Sequence, residues 1–178
     1  YGMKRAVIGS EVFTYYRHAD LSTTQGIAQT PWDDIVKNDW VAGGFVWSAC
    51  DYIGEAATGW PAVGWTGAPI DSAGFIKHRG YYLQSRWSDK PMVYTAIFDE
   101  REKWDMANVQ WGFPQMTAFW NGLDRGKIIH VGVYTNCERV ELYLNNDLPR
   151  KADNDSPDKI VHFYMPYYGG KLRAVGYN

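Results

Sequence analysis

The first part of the chain consists of short apolar runs separated by long connections. The runs "RAVI" at residues 5–8 and "GGFVWSAC" at residues 43–50 lack polar alternation, as expected for strands covered on both faces. Between them, "TPWDDIVKNDWV" predicts a helix, with Thr30 as the N-cap and Pro31 at the first helical position. Downstream, "IKHRGYYLQSRW" predicts a second amphipathic helix, which Gly80 weakens.

This alternation of strand and helix is typical of a parallel α/β unit, and only two such units fit before the pattern changes. A closed eight-fold barrel takes about 250 residues, so the chain cannot contain a whole one. The first part therefore predicts two βα units of a larger parallel fold.

Beyond about Met92 the apolar period changes to two, and turn residues separate the runs. The pattern predicts that Val140, Leu142 and Leu144 face inward, while Glu141 and Tyr143 face water. It indicates a small antiparallel sandwich. The predicted strands are 127–135, 139–146, 160–168 and 171–177, and residues 99–127 are interpreted as loops with one or two edge strands. We place the boundary so that the two domains are 1–92 and 93–178.

The composition is that of a globular protein, with 46% hydrophobic and 21% charged residues. No apolar run approaches the ~18 residues that cross a bilayer, so a membrane span is excluded. A net charge of −2 without basic clusters makes nucleic acid an unexpected partner. Cys50 and Cys137 fall in different predicted domains, so a mutual disulfide is not expected. Without an N-terminal Met or a signal segment, we interpret the chain as the inside of a longer protein.

Charged and aromatic side chains follow the two predicted strands. Glu11 lies three residues beyond Ile8, and Asp51 follows the second strand with Trp47 just inside it. Because ligands of parallel α/β folds bind at the carboxyl ends of the strands, these side chains are candidates for one site. The alternatives stay open, since such carboxylates also form loop salt bridges or caps. Asp51 and Glu55 could bond loop amides, and Trp47 could belong to the core.

Longer motifs carry a family resemblance. The segments "VIGSEVFTYYR", "GGFVWSACDYIGEA" and "IDSAGFIKHRGYYLQSRW", in this order and spacing, resemble the last two βα units of the (β/α)8 TIM barrel of glycoside hydrolase family 2, in its β-galactosidase-like members. The tail with "VYTNCERVELYLNN" and "GGKLRAVGY" is similar to the immunoglobulin-like β-sandwich that follows that barrel. The resemblance covers nearly the whole chain and implies an α/β segment followed by an all-β domain.

The resemblance implies roles for particular residues. Glu11 matches the catalytic nucleophile of the family, and Trp47 matches an aromatic that lies against the sugar. Asp51 matches an acidic residue that supports the site. Four further residues match the loop that frames the substrate pocket: Trp60, Trp65, Lys77 and His78.

A retaining glycosidase needs two carboxyl groups about 5 Å apart. In the family the acid/base is the glutamate of an Asn-Glu pair, and this sequence contains no such dipeptide. The acid/base is thus expected outside the chain, which should be inactive alone. A substitute role for Asp51 or Glu55 is left open.

The resemblance also bears on the substrate. Relatives that cleave β-glucuronides carry an Asn-x-Lys motif where this chain has Asp71 and Ala73 in "IDSAGF". A neutral sugar, most simply a terminal β-galactoside, is therefore expected, although Lys77 lies close by. The implied partners are this carbohydrate and the rest of the parent polypeptide, and the implied location is periplasmic or secreted.

No cofactor or metal is expected. His18, His130 and His162 lack the spacing of metal ligands and are interpreted as surface or strand-pairing residues.

A second function remains open, that of a noncatalytic carbohydrate-binding or interaction module. Its binding face would consist of aromatic residues of the β-domain: Trp104, Trp111, Trp120 and Tyr134. The competing interpretation is that these aromatics fill the sandwich core.

Overall fold

A computed structural model describes residues 5–12, 31–55, 60–61, 63–65, 67–98, 116–156 and 158–178. The described residues form two compact units, one ending at Gly80 and the other beginning at Tyr81. None of the described helices is long and apolar enough to cross a membrane. That the units correspond to a barrel segment and an immunoglobulin-like domain, divided at residue 92, stays a prediction.

The first unit is built on two parallel strands. Strand β1 spans Val7–Val12 and β2 spans Val41–Val46, and the short helix α1 at Pro31–Lys37 precedes β2. The described pairing aligns Gly9 with Gly44 and Val12 with Val46. This confirms the predicted order of strand, helix and parallel strand, and Pro31 begins the helix as expected. The predicted N-cap, Thr30, lies outside the described residues.

The bounds and the burial of these strands differ from the prediction. Strand β1 does not stop at Ile8, because Gly9 continues the ladder opposite Gly44. A Cβ on Gly44 would lie 3.2 Å from the Val12 methyl groups, so this glycine makes room for Val12 inside the sheet. The prediction that both faces are covered is wrong in the described part, where Ile8 is 56% and Phe45 64% exposed. The physical reason is that, in the described part, β1 and β2 form a sheet of only two strands, and α1 is the element that packs closely against it.

A hairpin and the first turn of a helix complete the first unit. Strand β3 at Tyr52–Ile53 pairs antiparallel with β4 at Gly64–Trp65. Helix α2 spans His78–Trp87 and confirms the second predicted helix. A Cβ on Gly80 would lie 2.6 Å from the Pro69 carbonyl oxygen. The glycine therefore lets the first turn of α2 approach this backbone. This close approach explains why a residue that disfavours helices stands inside α2.

The second unit contains two antiparallel sheets. In the described residues their strands are β5 at Val93–Phe98, β6 at Met116–Thr117, β7 at Ile128–Thr135, β8 at Arg139–Leu144, β9 at Arg150–Asp153, β10 at Ile160–Pro166 and β11 at Leu172–Tyr177. The sheet orders are β10-β7-β5-β6 and β11-β8-β9. The four strands predicted from period-two alternation are confirmed. Of the region predicted as loops with edge strands, residues 99–115 lie outside the described part.

The core of the second unit lies between these sheets. Val140, Leu142 and Leu144 are at most 5% exposed and pack with Val131 and Val133 of the other sheet, as the alternation predicts. A two-sheet sandwich therefore encloses one apolar layer. Cys137 is a buried free thiol, whereas Cys50 of the first unit is an exposed one.

The C-terminal part of α2 covers the other face of the larger sheet. Tyr82 is 1% exposed, and its OH donates to the Asp158 carbonyl oxygen at 2.9 Å. The Tyr81 ring stacks on Tyr94 of β5, with centroids 3.9 Å apart. These aromatic contacts tie the helix from Tyr81 onward to the β-rich unit.

Glu141 departs from the expectation that it faces water. It points away from the core, yet only 7% of it is exposed, because three polar groups surround its carboxylate. Lys151 approaches it at 2.8 Å, and the OH groups of Tyr143 and Tyr177 donate to it at 2.6 and 3.1 Å. The hydrogen bonds from Lys151 and then Tyr143 lower the pKa of Glu141 to about 2. The same carboxylate raises the pKa of the Tyr143 phenol to about 12.

We expect Glu141→Gln to destabilise the chain at pH 7, because the native state binds the ionised form preferentially. The folded-state pKa is depressed, so this contribution is complete above the unfolded value and is lost as the pH falls towards about 2. Urea unfolding of both proteins between pH 7 and pH 2 should show a difference that shrinks with acidity. Glu138→Gln, an exposed glutamate, serves as the control and should match the wild type. A difference that grows on acidification would contradict the prediction.

Candidate active site

Glu11 lies in an irregular part of β1. Between the pairs Gly9–Gly44 and Val12–Val46, β1 advances by three residues while β2 advances by two. The pairing is therefore irregular here, as at a β-bulge, a feature that redirects side chains and occurs often beside active sites. Glu11 lies in this irregular segment, near the carboxyl end of the strand, and is exposed.

Trp47 lies at the same edge of the sheet. It follows β2 directly, and its backbone N–H donates to the Val12 carbonyl oxygen at 3.1 Å. Its indole is 44% exposed, so the interpretation of Trp47 as a core residue is wrong. The parallel pairing thus brings an exposed carboxylate and an exposed indole to one end of neighbouring strands.

Tyr52 belongs to this site, although the sequence did not single it out. Its ring meets the Trp47 indole at 89°, with centroids 6.3 Å apart, and its OH donates to Glu55 Oε2. The spacing of Tyr and Glu in "DYIGE" is the only sequence signal, and it does not reveal which way the phenol points. The hairpin of β3 and β4 is what directs Tyr52 towards Trp47.

The electrostatics of Tyr52 connect it to both glutamates. The pKa of the phenol is raised, first by its hydrogen bond to Glu55 and then by desolvation, while a hydrogen bond from Trp47 opposes the rise. The negative charges of Glu55 and Glu11 raise this pKa further. The Tyr52 phenol is therefore within electrostatic reach of Glu11 and in contact with Glu55.

Asp51 and Lys77, both candidates for substrate binding, bind each other. Lys77 Nζ lies 2.7 Å from Asp51 Oδ2 and 2.8 Å from Oδ1, and the side chains are 26% and 12% exposed respectively. Burial lowers the pKa of Lys77, and the interaction with Asp51 opposes this shift. Both carboxylate oxygens of Asp51 thus accept from Lys77, so the two side chains satisfy each other within the fold.

The same ion pair anchors the loop that leads to α2. Asp51 Oδ1 also accepts the Ala68 N–H at 3.0 Å, and the backbone N–H of Asp51 donates to Ile70. The interpretation of Asp51 as an acceptor for loop amides is thus confirmed. Asp71 is directed at its own loop, since its carboxylate accepts the N–H groups of Ala73 and Phe75 at 2.9 and 2.8 Å.

The remaining residues of the predicted pocket frame differ in exposure. Trp65 is 6% exposed, and a Cβ on Gly67 would fall 2.1 Å from its ring, so this glycine accommodates the indole. Trp60 is 91% exposed, and His78 begins α2 in a half-buried position. Trp65 supports the hairpin opposite Tyr52, whereas Trp60 presents its whole ring to solvent.

The histidines of the second unit pair with each other. His130 Nε2 lies 2.9 Å from His162 Nδ1, and His162 Nε2 lies 2.8 Å from Asp158. Burial and then the neighbouring His162 lower the pKa of His130 to about 4. Their interpretation as strand-pairing residues is confirmed, while His18 lies outside the described residues. In the described ranges, no group of three or more His, Cys, Asp or Glu side chains could hold a metal ion.

Of the four aromatics considered as a binding face of the β-domain, the two that the structure describes are engaged in packing. Tyr134 is 0% exposed, and Trp120 packs against the core while its Nε1 donates to the Tyr168 carbonyl oxygen at 3.2 Å. The other two aromatics of that hypothesis, Trp104 and Trp111, lie outside the described residues. Core packing is the better interpretation of the two that are described.

Sequence comparison finds relatives across most of the chain. A family model described as a domain of unknown function (DUF4982) matches residues 126–178. A putative beta-glucuronidase of Formosa agariphila is 32% identical over 166 residues, covering 89% of this chain. Beta-galactosidase BoGH2A of Bacteroides ovatus is 32% identical over 139 residues, covering 78%. The chain spans only 14% of the length of each of these two relatives.

Solved structures of glycoside hydrolases also match most of this chain. A glycosyl hydrolase family 2 member from Bacteroides cellulosilyticus matches 98% of this chain with a TM-score of 0.77 and 28% identity. The match covers 23% of that structure. A beta-glycosidase from Bacteroides vulgatus matches 82% of this chain and 16% of its own, with a TM-score of 0.62 and 31% identity.

We expect Asp51→Ala to loosen the loop between Asp51 and α2, because it leaves a partly buried ammonium group and the Ala68 N–H without their acceptor. Losing such charge-assisted bonds costs about 1–3 kcal/mol, which corresponds to roughly 5- to 150-fold faster opening. Hydrogen exchange of the Ala68 and Lys77 amides measures this. Asp71→Ala is the matched control and should accelerate Ala73 and Phe75 instead. Unchanged exchange at Ala68 would contradict the anchoring role.

Proposed function

Because this chain belongs to glycoside hydrolase family 2, we propose that it is part of a retaining exo-β-glycosidase in which Glu11 is the catalytic nucleophile. The observation that carries the proposal is the position of Glu11 near the carboxyl end of β1, at the same edge of the sheet as the exposed indole of Trp47. A carboxylate can supply the nucleophile of a retaining glycosidase, and an exposed indole can carry the apolar face of a sugar ring.

The proposed reaction is a double displacement. Glu11 attacks the anomeric carbon while an acid protonates the leaving glycosidic oxygen, and a covalent glycosyl-enzyme forms. The same second carboxyl group, now a base, removes a proton from water, which attacks the anomeric carbon and releases Glu11. The sugar is expected to rest its CH-rich face on Trp47.

The acid/base is proposed to lie in the rest of the parent polypeptide. Asp51 is a poor substitute, because both of its carboxylate oxygens accept from Lys77. Glu55 is occupied on one oxygen by the Tyr52 phenol. This arrangement supports a chain that is inactive alone and that supplies one half of the catalytic pair.

The proposed substrate is a terminal β-galactoside or a related neutral glycoside. Lys77 could have recognised a uronate, but its ammonium group is bound by Asp51 at 2.7 Å. Glu11 and Glu55 add negative charge around Tyr52, which would repel a sugar carboxylate. Asp71 is expected to repel a sugar carboxylate less strongly than Glu11 and Glu55, because its carboxylate accepts hydrogen bonds from its own loop.

The proposal also covers the loop residues that frame the substrate pocket and the longer polypeptide to which the chain belongs. Trp60 and His78 are proposed to contact the substrate, whereas Asp51, Lys77 and Trp65 act by holding the loops in place. We propose that the first unit is completed by further barrel strands of the parent and that the second unit is an immunoglobulin-like domain. The parent is proposed to be exported.

In the full-length parent, Glu11→Gln should lower kcat by roughly 10⁴-fold or more, the scale seen when a nucleophile is removed. Binding of the sugar should change little, because the amide keeps the size of the side chain. Steady-state kinetics with an aryl β-galactoside and calorimetry with the free sugar measure the two effects. Glu138→Gln, exposed in the second unit, is the control. Near-normal turnover by Glu11→Gln would refute the nucleophile assignment.

A panel of aryl glycosides tests the substrate. The parent should hydrolyse the β-galactoside with a kcat/KM at least about tenfold above that for the β-glucuronide. The reason is that Glu11 and Glu55 would repel the carboxylate of the glucuronide, which no described cation of the site would neutralise. The 178-residue chain alone should hydrolyse neither. A parent that prefers the glucuronide would overturn the neutral-sugar proposal while leaving the nucleophile assignment intact.

A further inference from the structure

We propose that Glu55 binds a hydroxyl group of the sugar that lies on Trp47, and that Tyr52 positions Glu55 for this contact. The proposal rests on the proposed function, since it requires a sugar at Trp47. It deepens that function by assigning a specificity residue and the chemistry it recognises, a neutral hexose hydroxyl.

Tyr52 is held in a fixed position by the hairpin. Across the hairpin, Tyr52 pairs with Trp65, which is 6% exposed. The N–H of Gly54 donates to the Val63 carbonyl oxygen at 2.9 Å and continues this pairing. A side chain on a paired strand with a buried neighbour presents its polar end more precisely than one on a free loop. The phenol OH therefore has a defined location beside Trp47.

The contact with Trp47 places the phenol at the edge of the proposed sugar platform. The two rings are perpendicular, with centroids 6.3 Å apart, and the indole remains 44% exposed. The edge-to-face contact therefore sets the phenol beside the indole. A sugar on the exposed indole would thus have the Tyr52–Glu55 pair at its side.

The hydrogen-bonding capacity of the pair leaves one acceptor for a ligand. A phenol has one proton to donate, and Tyr52 donates it to Glu55 Oε2. Among the described residues, Glu55 Oε1 has no hydrogen-bond partner. An ionised carboxylate accepts only, and a hydroxyl bound to it forms a charge-assisted hydrogen bond.

The state of the phenol supports this arrangement. Its pKa is raised, mainly by the hydrogen bond to Glu55, so the phenol stays protonated and keeps donating at neutral pH. A donor held on Oε2 limits the rotation of the carboxylate and directs Oε1. Tyr52 acts through Glu55 and is a positioning residue, whereas Glu55 touches the substrate.

The test compares full-length parent proteins on an aryl β-galactoside and its monodeoxy analogues. In the wild type, removal of one particular hydroxyl should lower kcat/KM at least about tenfold, the scale of one lost hydrogen bond to a charged group. In Glu55→Ala this preference should disappear at that hydroxyl alone. Glu55→Gln, which keeps a neutral acceptor, should restore part of it.

Tyr52→Phe keeps the ring and removes the hydroxyl. We expect the preference at the same hydroxyl to weaken while the preferences at other hydroxyls stay unchanged. Tyr164→Phe, which is 58% exposed in the second unit, is the control. Each result is a ratio of kcat/KM values within one variant, so a lower folded fraction does not alter it.

The outcomes separate the inference from the function on which it rests. The inference is overturned if Glu55→Ala loses activity equally on every analogue, if it keeps every wild-type preference, or if the wild type tolerates each deletion. Turnover by Glu11→Gln would overturn the nucleophile assignment alone, because the ratios remain measurable. A parent that hydrolyses no aryl glycoside would overturn both proposals.

Discussion

The candidate site depends on the parallel register of β1 and β2. Parallel strands end at the same edge, and the hydrogen bond from the Trp47 N–H to Val12 fixes where β2 leaves that edge. Glu11 lies where this register shifts, between the pairs Gly9–Gly44 and Val12–Val46. A regular ladder alternates side chains strictly between the two faces, so a shift of one residue at this point changes that alternation around Glu11. Glycine at position 44 is part of this arrangement, because it leaves room for the Val12 side chain.

The charged side chains near the carboxyl ends of β1 and β2 fall into two groups, those in an ion pair and those without a cationic partner in the described contacts. Asp51 and Lys77 neutralise each other inside the fold, and their contacts hold the backbone of the loop before α2. Such a pair adds little net energy but would be costly to break, because the remaining charge would be partly buried without its ion-pair partner. Glu11 is exposed, and Glu55 is bound by a phenol rather than by a cation. In the described contacts, Glu11 and Glu55 are therefore carboxylates that no cation neutralises.

The sequence predicts the second unit better than the first, for a physical reason. A sheet with one buried face imposes a period of two, so Val140, Leu142 and Leu144 are recognisable from spacing alone. The irregular pairing around Glu11 leaves no such signal, because it depends on how β1 is aligned with β2. Continuous apolar runs also predict strands without showing whether neighbours cover them, and Phe45 is 64% exposed.

Contacts between distant residues escape sequence reasoning as well. The Asp51–Lys77 pair joins residues 26 positions apart, and Glu141 is covered by Lys151 and Tyr177 from the neighbouring strands β9 and β11. The residue types are those that make ion pairs and hydrogen bonds, but their partners follow from strand order. Local pattern placed Glu11 and Trp47 at the ends of neighbouring strands, whereas their separate roles come only from the family resemblance and stay predictions.

The abundance of aromatic residues is ambiguous for the same reason. Nine Trp and thirteen Tyr suit both cores and sugar-binding surfaces, since each ring combines an apolar face with a polar group. Exposure separates the two uses: Tyr82 and Tyr134 are at most 1% exposed and meet in a perpendicular contact, whereas Trp47 is 44% exposed. Tyr52 stands between these classes, because it is half-buried and its OH is engaged by a carboxylate at the edge of an open indole. An aromatic residue placed in this way contributes orientation rather than packing, which is the property that recognition of a sugar hydroxyl demands.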